Sequence, residues 1–217
     1  MDNFHKLIEG FHNFKQTYFL KERQYFESLE KAQNPKTLVV ACCDSRVDPA
    51  ILLHCKPGDL FVIRNVAALV PAVTQASNPC SVMSAIEYGV KHLNVEHIVV
   101  MGHSHCGGIH GLMAPESIAG ETYIQDWVGI ASPALERLQA MTGDEDEKTR
   151  SRHCEEGAVL ISLDNLLSYP WIAERVKNGQ LKLHALYYDL SEGNLYRFSP
   201  ESEDFELLFH SEKIDVC

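Results

Sequence analysis

The 217-residue chain is as informative for what it lacks as for what it holds. No uninterrupted apolar run reaches the roughly 18 residues that a membrane-spanning helix requires. Its first residues, Met1-Asp2-Asn3-Phe4-His5-Lys6, offer neither a basic segment nor a continuous apolar core of the kind that opens a secretory signal, so a cytoplasmic location is expected. Cation clusters are missing as well. Lys and Arg number 19 against 30 Asp and Glu, a formal charge of −11, which argues against a nucleic-acid or anionic-membrane surface. The cysteine count lacks the evenness of a disulfide framework. Seven thiols, scattered at positions 42, 43, 55, 80, 106, 154 and 217, are expected to be reduced. No internal repeat, low-complexity tract or interdomain linker is visible, and this length suits one well-buried domain rather than two.

What is present alternates between strand and helix. Apolar runs at Thr37–Ala41, Asp59–Arg64, Glu96–Met101 and Leu181–Leu190 predict four strands, and Leu195–Phe198 an edge strand after the turn Ser191-Glu192-Gly193-Asn194. Asp48 and Pro49 open a short helix. A longer one starts at Ser77 or Asn78, before Pro79, and runs to about His92. Further helical segments are expected from Glu121 to Met141, interrupted at Pro133, from Thr149 to Leu167, and from Trp171 to Lys177, with the acidic stretch Gly143–Glu147 as a solvated loop. This pattern predicts an α/β fold: a mostly parallel central sheet of four strands plus an edge strand, with helices on both faces. Phe4, Leu7, Ile8, Phe11, Phe14 and Tyr18 recur at three- and four-residue spacing, so residues 1–33 read as a helical arm on a single domain spanning 1–217, whose α/β part is 34–217.

Two of the apolar runs end in metal-ligand chemistry. Val99-Val100-Met101-Gly102 leads directly into His103-Ser104-His105-Cys106-Gly107-Gly108, and Thr37-Leu38-Val39-Val40-Ala41 into Cys42-Cys43-Asp44-Ser45-Arg46. Cys42 together with His103-x-x-Cys106 makes a Cys₂His set that leaves a fourth tetrahedral position open, the pattern of a catalytic rather than a structural zinc site. In parallel sheets such strand ends are where ligands bind. Two thiolates and a neutral imidazole cancel the metal's charge, so a bound water is a weaker acid here than on zinc held by three neutral histidines. A compensating arrangement is needed, and Asp44 and Arg46 are the candidates. Asp44, two residues beyond Cys42, is close enough either to accept a hydrogen bond from a zinc-bound hydroxide or to ligate zinc itself; a guanidinium gripping the carboxylate with two prongs would keep it off the metal and leave the fourth position for water. Side-chain alternation turns Cys43 away from Cys42, and His105 is expected to be a solvated loop residue with a proton relay as the sharper alternative.

Cys42-x-Asp44-Ser45-Arg46 followed by His103-x-x-Cys106-Gly107-Gly108 resembles the β-class carbonic anhydrases, and Phe61-Val62-Ile63-Arg64-Asn65-Val66-Ala67 with Ala85-Ile86-Glu87-Tyr88 resembles the plant-type branch. The resemblance runs from about Gln33 to Tyr188. It implies one Zn²⁺ per chain on Cys42, His103 and Cys106, the Asp44–Arg46 pair as catalytic residues, and reversible hydration of CO₂ to bicarbonate and a proton. It also implies that Gln33, Phe61, Val66 and Tyr88 line the CO₂ pocket, that the Gly107 N–H faces a bound anion, and that the chain forms a homodimer or higher homo-oligomer in which the arm and Gln33 reach a neighbouring protomer. One branch of the family holds a second bicarbonate at positions matching Val39, Arg64 and Tyr188. Valine has no N–H to donate there, so Arg64 is expected to have a structural task instead. Hydrolysis of COS or CS₂ at the same site, and a zinc-binding redox or storage protein, are the rival readings.

Overall fold

Strands covered on both faces have no polar side to alternate with, and the continuous Val, Ile and Leu runs build such a sheet. A computed structural model describes residues 2–76, 79–140 and 145–208. In it β1 (Thr37–Cys42), β2 (Leu60–Asn65), β3 (His97–His103) and β4 (Lys182–Asp189) run parallel, while β5 (Asn194–Ser199) and β6 (Asp204–Leu207) extend the sheet antiparallel. The strand order is β2-β1-β3-β4-β5-β6. The sheet therefore has one more edge strand than the sequence suggested. β6 is only four residues long, and its Asp204 and Glu206 hide it among the surrounding acidic residues.

The chain divides into two compact units, Met1–Asn34 and Pro35–Cys217. In the first, α1 (Asn3–Phe14) passes through a π-helical turn, Lys15–Phe19, before α2 (Arg23–Lys31). Asp2 caps α1 by accepting the His5 N–H at 2.9 Å. Phe14, Tyr18, Phe19 and Phe26 gather with ring centroids 4.9 to 5.9 Å apart, whereas Phe4, Leu7, Ile8 and Phe11 are exposed.

The second unit adds α3 (Pro49–Leu52), α4 (Ser81–Lys91), α5 (Gly107–Met113), α6 (Thr122–Val128), α7 (Ser132–Ala140), α8 (Glu147–Leu167) and α9 (Pro170–Lys177). Leu38, Val40, Ile98, Val100, Ala185 and Tyr187 on one sheet face pack with Ile86 and Val90 of α4, Val159 and Leu166 of α8, and Ile172 of α9. On the other face Val39, Ala41, Val99 and Met101 pack with Leu52 of α3. Two glycines let helices come this close. A Cβ on Gly102 would lie 2.5 Å from Val159 Cγ2 of α8, and one on Gly89 of α4 would lie 2.6 Å from Leu38 Cδ1.

Several boundaries differ from the sequence reading, each for a local reason. The break expected at Pro133 falls instead at the 3₁₀ turn Gly129–Ala131, and Pro133 sits in the first turn of α7, where its missing N–H leaves no bond unmade. Asp146 accepts the Thr149 N–H at 2.8 Å, so Glu147 already belongs to α8 rather than to a loop. Gly143 and Asp144, and the helix start at Ser77 or Asn78, lie outside the described residues. The short helix α5 was not expected, because glycine at 107, 108 and 111 is a poor helix former. No described helix is long and apolar enough to cross a membrane.

Candidate metal centre

β1 has β2 on one side and β3 on the other, so the carboxyl ends of β1 and β3 flank the point where connections diverge. Cys42 ends β1, His103 ends β3, and Cys106 precedes α5 in the next turn. Their ligand atoms lie within 4.8 Å of one another, and all three residues are buried. Zinc bonds of about 2.3 Å to sulfur and about 2.0 Å to nitrogen put tetrahedral ligand atoms roughly 3.5–3.8 Å apart, so the group has the right size for one ion. His103 supplies the decisive atom. Its Nδ1 hydrogen-bonds the Ser104 carbonyl at 2.8 Å, which leaves the Nε2 lone pair for a ligand. That nitrogen is buried with no hydrogen-bond partner among the described residues, as expected of an atom that awaits a metal.

The two sulfurs are electrostatically interlocked. A hydrogen bond from the Cys106 thiol, against the cost of burial, holds the Cys42 thiol well below its usual range, while the Cys42 thiolate and burial together push Cys106 up. A divalent cation bound between the two sulfurs would displace the thiol proton. Burial disfavours the charged His103 ring, but the Cys42 sulfur and the Ser104 carbonyl outweigh that and raise it. Backbone N–H groups also point at the sulfurs: Asp44, at 3.4 Å, and Ala67 toward Cys42, Gly108 and Ile109 toward Cys106. These dipoles offset part of the dithiolate's negative charge.

Asp44 and Arg46 form the expected pair. Arg46 donates Nε to Asp44 Oδ1 at 2.9 Å and an NH₂ to Oδ2 at 2.6 Å, and the Arg46 N–H adds a third bond to Oδ1 at 2.9 Å. Hydrogen bonding from Arg46 holds the Asp44 carboxyl well below the usual carboxylate range. Arg46 also donates to the His105 carbonyl at 3.1 Å, tying the two ligand loops together. Arg64 is wholly engaged: it donates to the carbonyls of Cys42 at 3.0 Å, Asp44 at 2.8 Å and Val47 at 2.8 Å, and to Asp48 at 3.2 Å. Val39 is core. The structural task expected of Arg64 is therefore to clamp the Cys42–Asp48 loop.

The candidate pocket residues divide. Val66 and Gly107 stand at the triad: Val66 packs in the cluster that holds Cys42 and Cys106, and Gly107 follows Cys106 directly. Phe61 and Tyr88 do not. Phe61 pairs with Leu38, four residues before Cys42, about 13 Å away along the strand at 3.3 Å per residue. Tyr88 stacks near it, with ring centroids 6.0 Å apart. Gln33 is exposed and belongs to the first unit. Cys43 is exposed and unpaired, as strand alternation implied, and the six described cysteines are all free; Cys217 lies outside the described residues. His105 is exposed, with φ 57° and its Nε2 3.4 Å from Ser191 Oγ.

The roles of other contributors were not visible in the sequence. Ala67 and Ala68 adopt positive φ, 63° and 55°, a costly conformation for a residue with a Cβ. Asn65 staples that turn through the Leu69 N–H and carbonyl at 2.8 and 2.9 Å, which aims the Ala67 N–H at Cys42. Gly108 lets α5 approach: a Cβ there would lie 2.6 Å from Val66 Cγ1. Trp127 donates to the Val66 carbonyl at 2.8 Å, and Ser104 accepts the Leu190 N–H at 2.8 Å, fastening the histidine loop to the end of β4. None of these lies in a pattern that spacing alone would single out.

Known proteins place this geometry. A family model described as carbonic anhydrase matches residues 37–195. A chloroplastic β-carbonic anhydrase 5 of Arabidopsis thaliana is 40% identical over 189 residues, 87% of this chain and 62% of that protein, so the chain spans less than two thirds of its length. Among solved structures, the β-carbonic anhydrase CcaA superposes with a TM-score of 0.90 at 31% identity, covering 95% of this chain and 100% of that one. One of two tetrameric β-carbonic anhydrases from the ascomycete Sordaria macrospora reaches 0.78 at 29% identity, over 92% and 98% of the two chains. With a metal triad at the sheet's switch point and matches across most of its length, the chain belongs to the β-carbonic anhydrases, on the plant-type side of the family.

Proposed function

We propose that this protein is a zinc carbonate dehydratase, interconverting CO₂ and bicarbonate with release of a proton. The observation that carries the reading is the three-ligand group with a paired carboxylate and guanidinium beside it. Zinc on Cys42, His103 and Cys106 would supply a Lewis acid that activates water as the nucleophile. Every other task falls to the chain. Asp44 accepts a hydrogen bond from the nucleophile and so orients it, and Arg46 keeps the carboxylate off the metal. The Gly107 N–H faces the product anion. Val66 offers an apolar wall to an unpolarised substrate.

Phe61, Tyr88 and Gln33 complete the pocket of a second copy of the chain. The register supports this, since Phe61 and Tyr88 lie at the opposite end of β2 from their own triad. The exposed apolar side chains of α1 support it too. A cytoplasmic location accords with the unpaired thiols, and fractionation of cells that express the protein tests it.

The reaction itself is tested by steady-state competition between CO₂ and COS on the zinc-loaded enzyme. CO₂ is expected to be the preferred substrate by kcat/KM. Preference for COS would reassign the site to heteroallene hydrolysis.

A further inference from the structure

We propose that Glu155 is a positioning residue for the metal centre, acting through the backbone of Cys106. Glu155 stands on α8 and is 5% exposed. Its Oε1 accepts the Cys106 N–H at 3.0 Å, and its Oε2 accepts the Tyr187 hydroxyl at 2.7 Å from β4. One carboxylate thus bridges three parts of the fold at the residue that presents the third ligand. Tyr187 is itself 1% exposed, and Arg152 lies over its ring at 5.4 Å from the centroid, so the far end of the bridge is anchored.

The geometry says what the bridge does. Cys106 is extended, with φ −71° and ψ 117°, and the helical turn begins immediately after it. Its own N–H cannot join that helix and needs an acceptor from elsewhere in the fold. Glu155 takes this N–H and thereby sets the peptide plane from which the sulfur projects and toward which the Gly108 and Ile109 N–H groups point. On its other side the carboxylate borders a cavity of ≈ 340 Å³ lined by Ser104, His105, Arg152, Tyr187 and Asp189. The sequence hides this role, because the two partners lie 49 residues apart.

This inference rests on the metal reading of the triad, and its test uses readouts other than turnover. Zinc affinity is measured by chelator competition for the wild type, E155A and E155Q, together with the absorption spectrum of the Co²⁺-substituted proteins. E155A should weaken zinc binding roughly ten- to a hundredfold and shift the thiolate-to-cobalt bands. E155Q keeps an acceptor for Cys106 and a polar group for Tyr187, and should stay within about threefold with the bands in place. Unchanged affinity and spectrum in E155A would overturn the proposal, and so would an E155Q that falls as far as E155A, since charge rather than placement would then be at work. If E155A does not fold, Y187F releases one end of the bridge and should shift the same bands; an unshifted spectrum overturns the proposal equally. Wild-type protein that binds no zinc would fail the metal reading itself, whereas tight wild-type binding with indifferent Glu155 variants would fail this inference alone.

Discussion

An imidazole nitrogen buried without a hydrogen-bond partner costs on the order of 1–3 kcal/mol, and His103 Nε2 is such an atom. A metal ion bound there would remove that cost, and the same logic extends to the two sulfurs beside it. Substituting any of Cys42, His103 or Cys106 by alanine should therefore remove most of the bound zinc, while Cys43→Ala, at an exposed position, should keep it. Metal analysis of the four variants decides; loss in Cys43→Ala with retention in Cys42→Ala would shift the ligand by one residue. Asp44→Asn and Arg46→Ala should instead keep zinc yet lower kcat by roughly a hundredfold or more. Arg46 depresses the Asp44 carboxyl, so the stabilising contribution of the pair is present above the unfolded value of about 3.9 and is lost only as pH falls through the lower native one. In Arg46→Ala the acid loss of stability should move up toward the ordinary carboxylate range, and pH-dependent unfolding measures it. The ligands and this pair were legible because each motif is contiguous and follows an apolar run. Glu155 and the strained Ala67 turn were not, because their partners are reached only by folding.

At the scale of elements, α8 is what keeps the switch point in shape. It presses on β3 where Gly102 leaves room for Val159, one residue before His103. Gly102→Ala should force the helix and strand apart at a cost of about 1–3 kcal/mol, and the double variant with Val159→Ala should recover part of that loss by vacating the space. Denaturant unfolding of the single and double variants gives the coupling; additive losses would contradict the close approach. The strands were readable from apolar runs bounded by turns. α5 and β6 escaped because glycine in the one and alternating acids in the other disguise short elements whose stability comes from their neighbours. Pro133 shows the reverse error, where a residue that usually ends a helix stands at the start of one.

For the whole molecule, the parallel sheet and its switch point account for one three-ligand group with Val66 packed beside it. Phe61 and Tyr88 lie several residues of strand away from that triad, and sequence order alone could not reveal the separation. An active dimer or larger assembly is the expected state, and light scattering combined with activity checks it: a fully active monomer would contradict the shared pocket. The central claim is that one zinc on Cys42, His103 and Cys106 makes this chain hydrate CO₂. Stopped-flow CO₂ hydration during a zinc titration of the apoprotein tests it most directly. The account predicts activity that rises in proportion to bound zinc and levels off at one equivalent per chain. A rate that stays at the buffer value with one equivalent bound, or that appears only with a second, would contradict it.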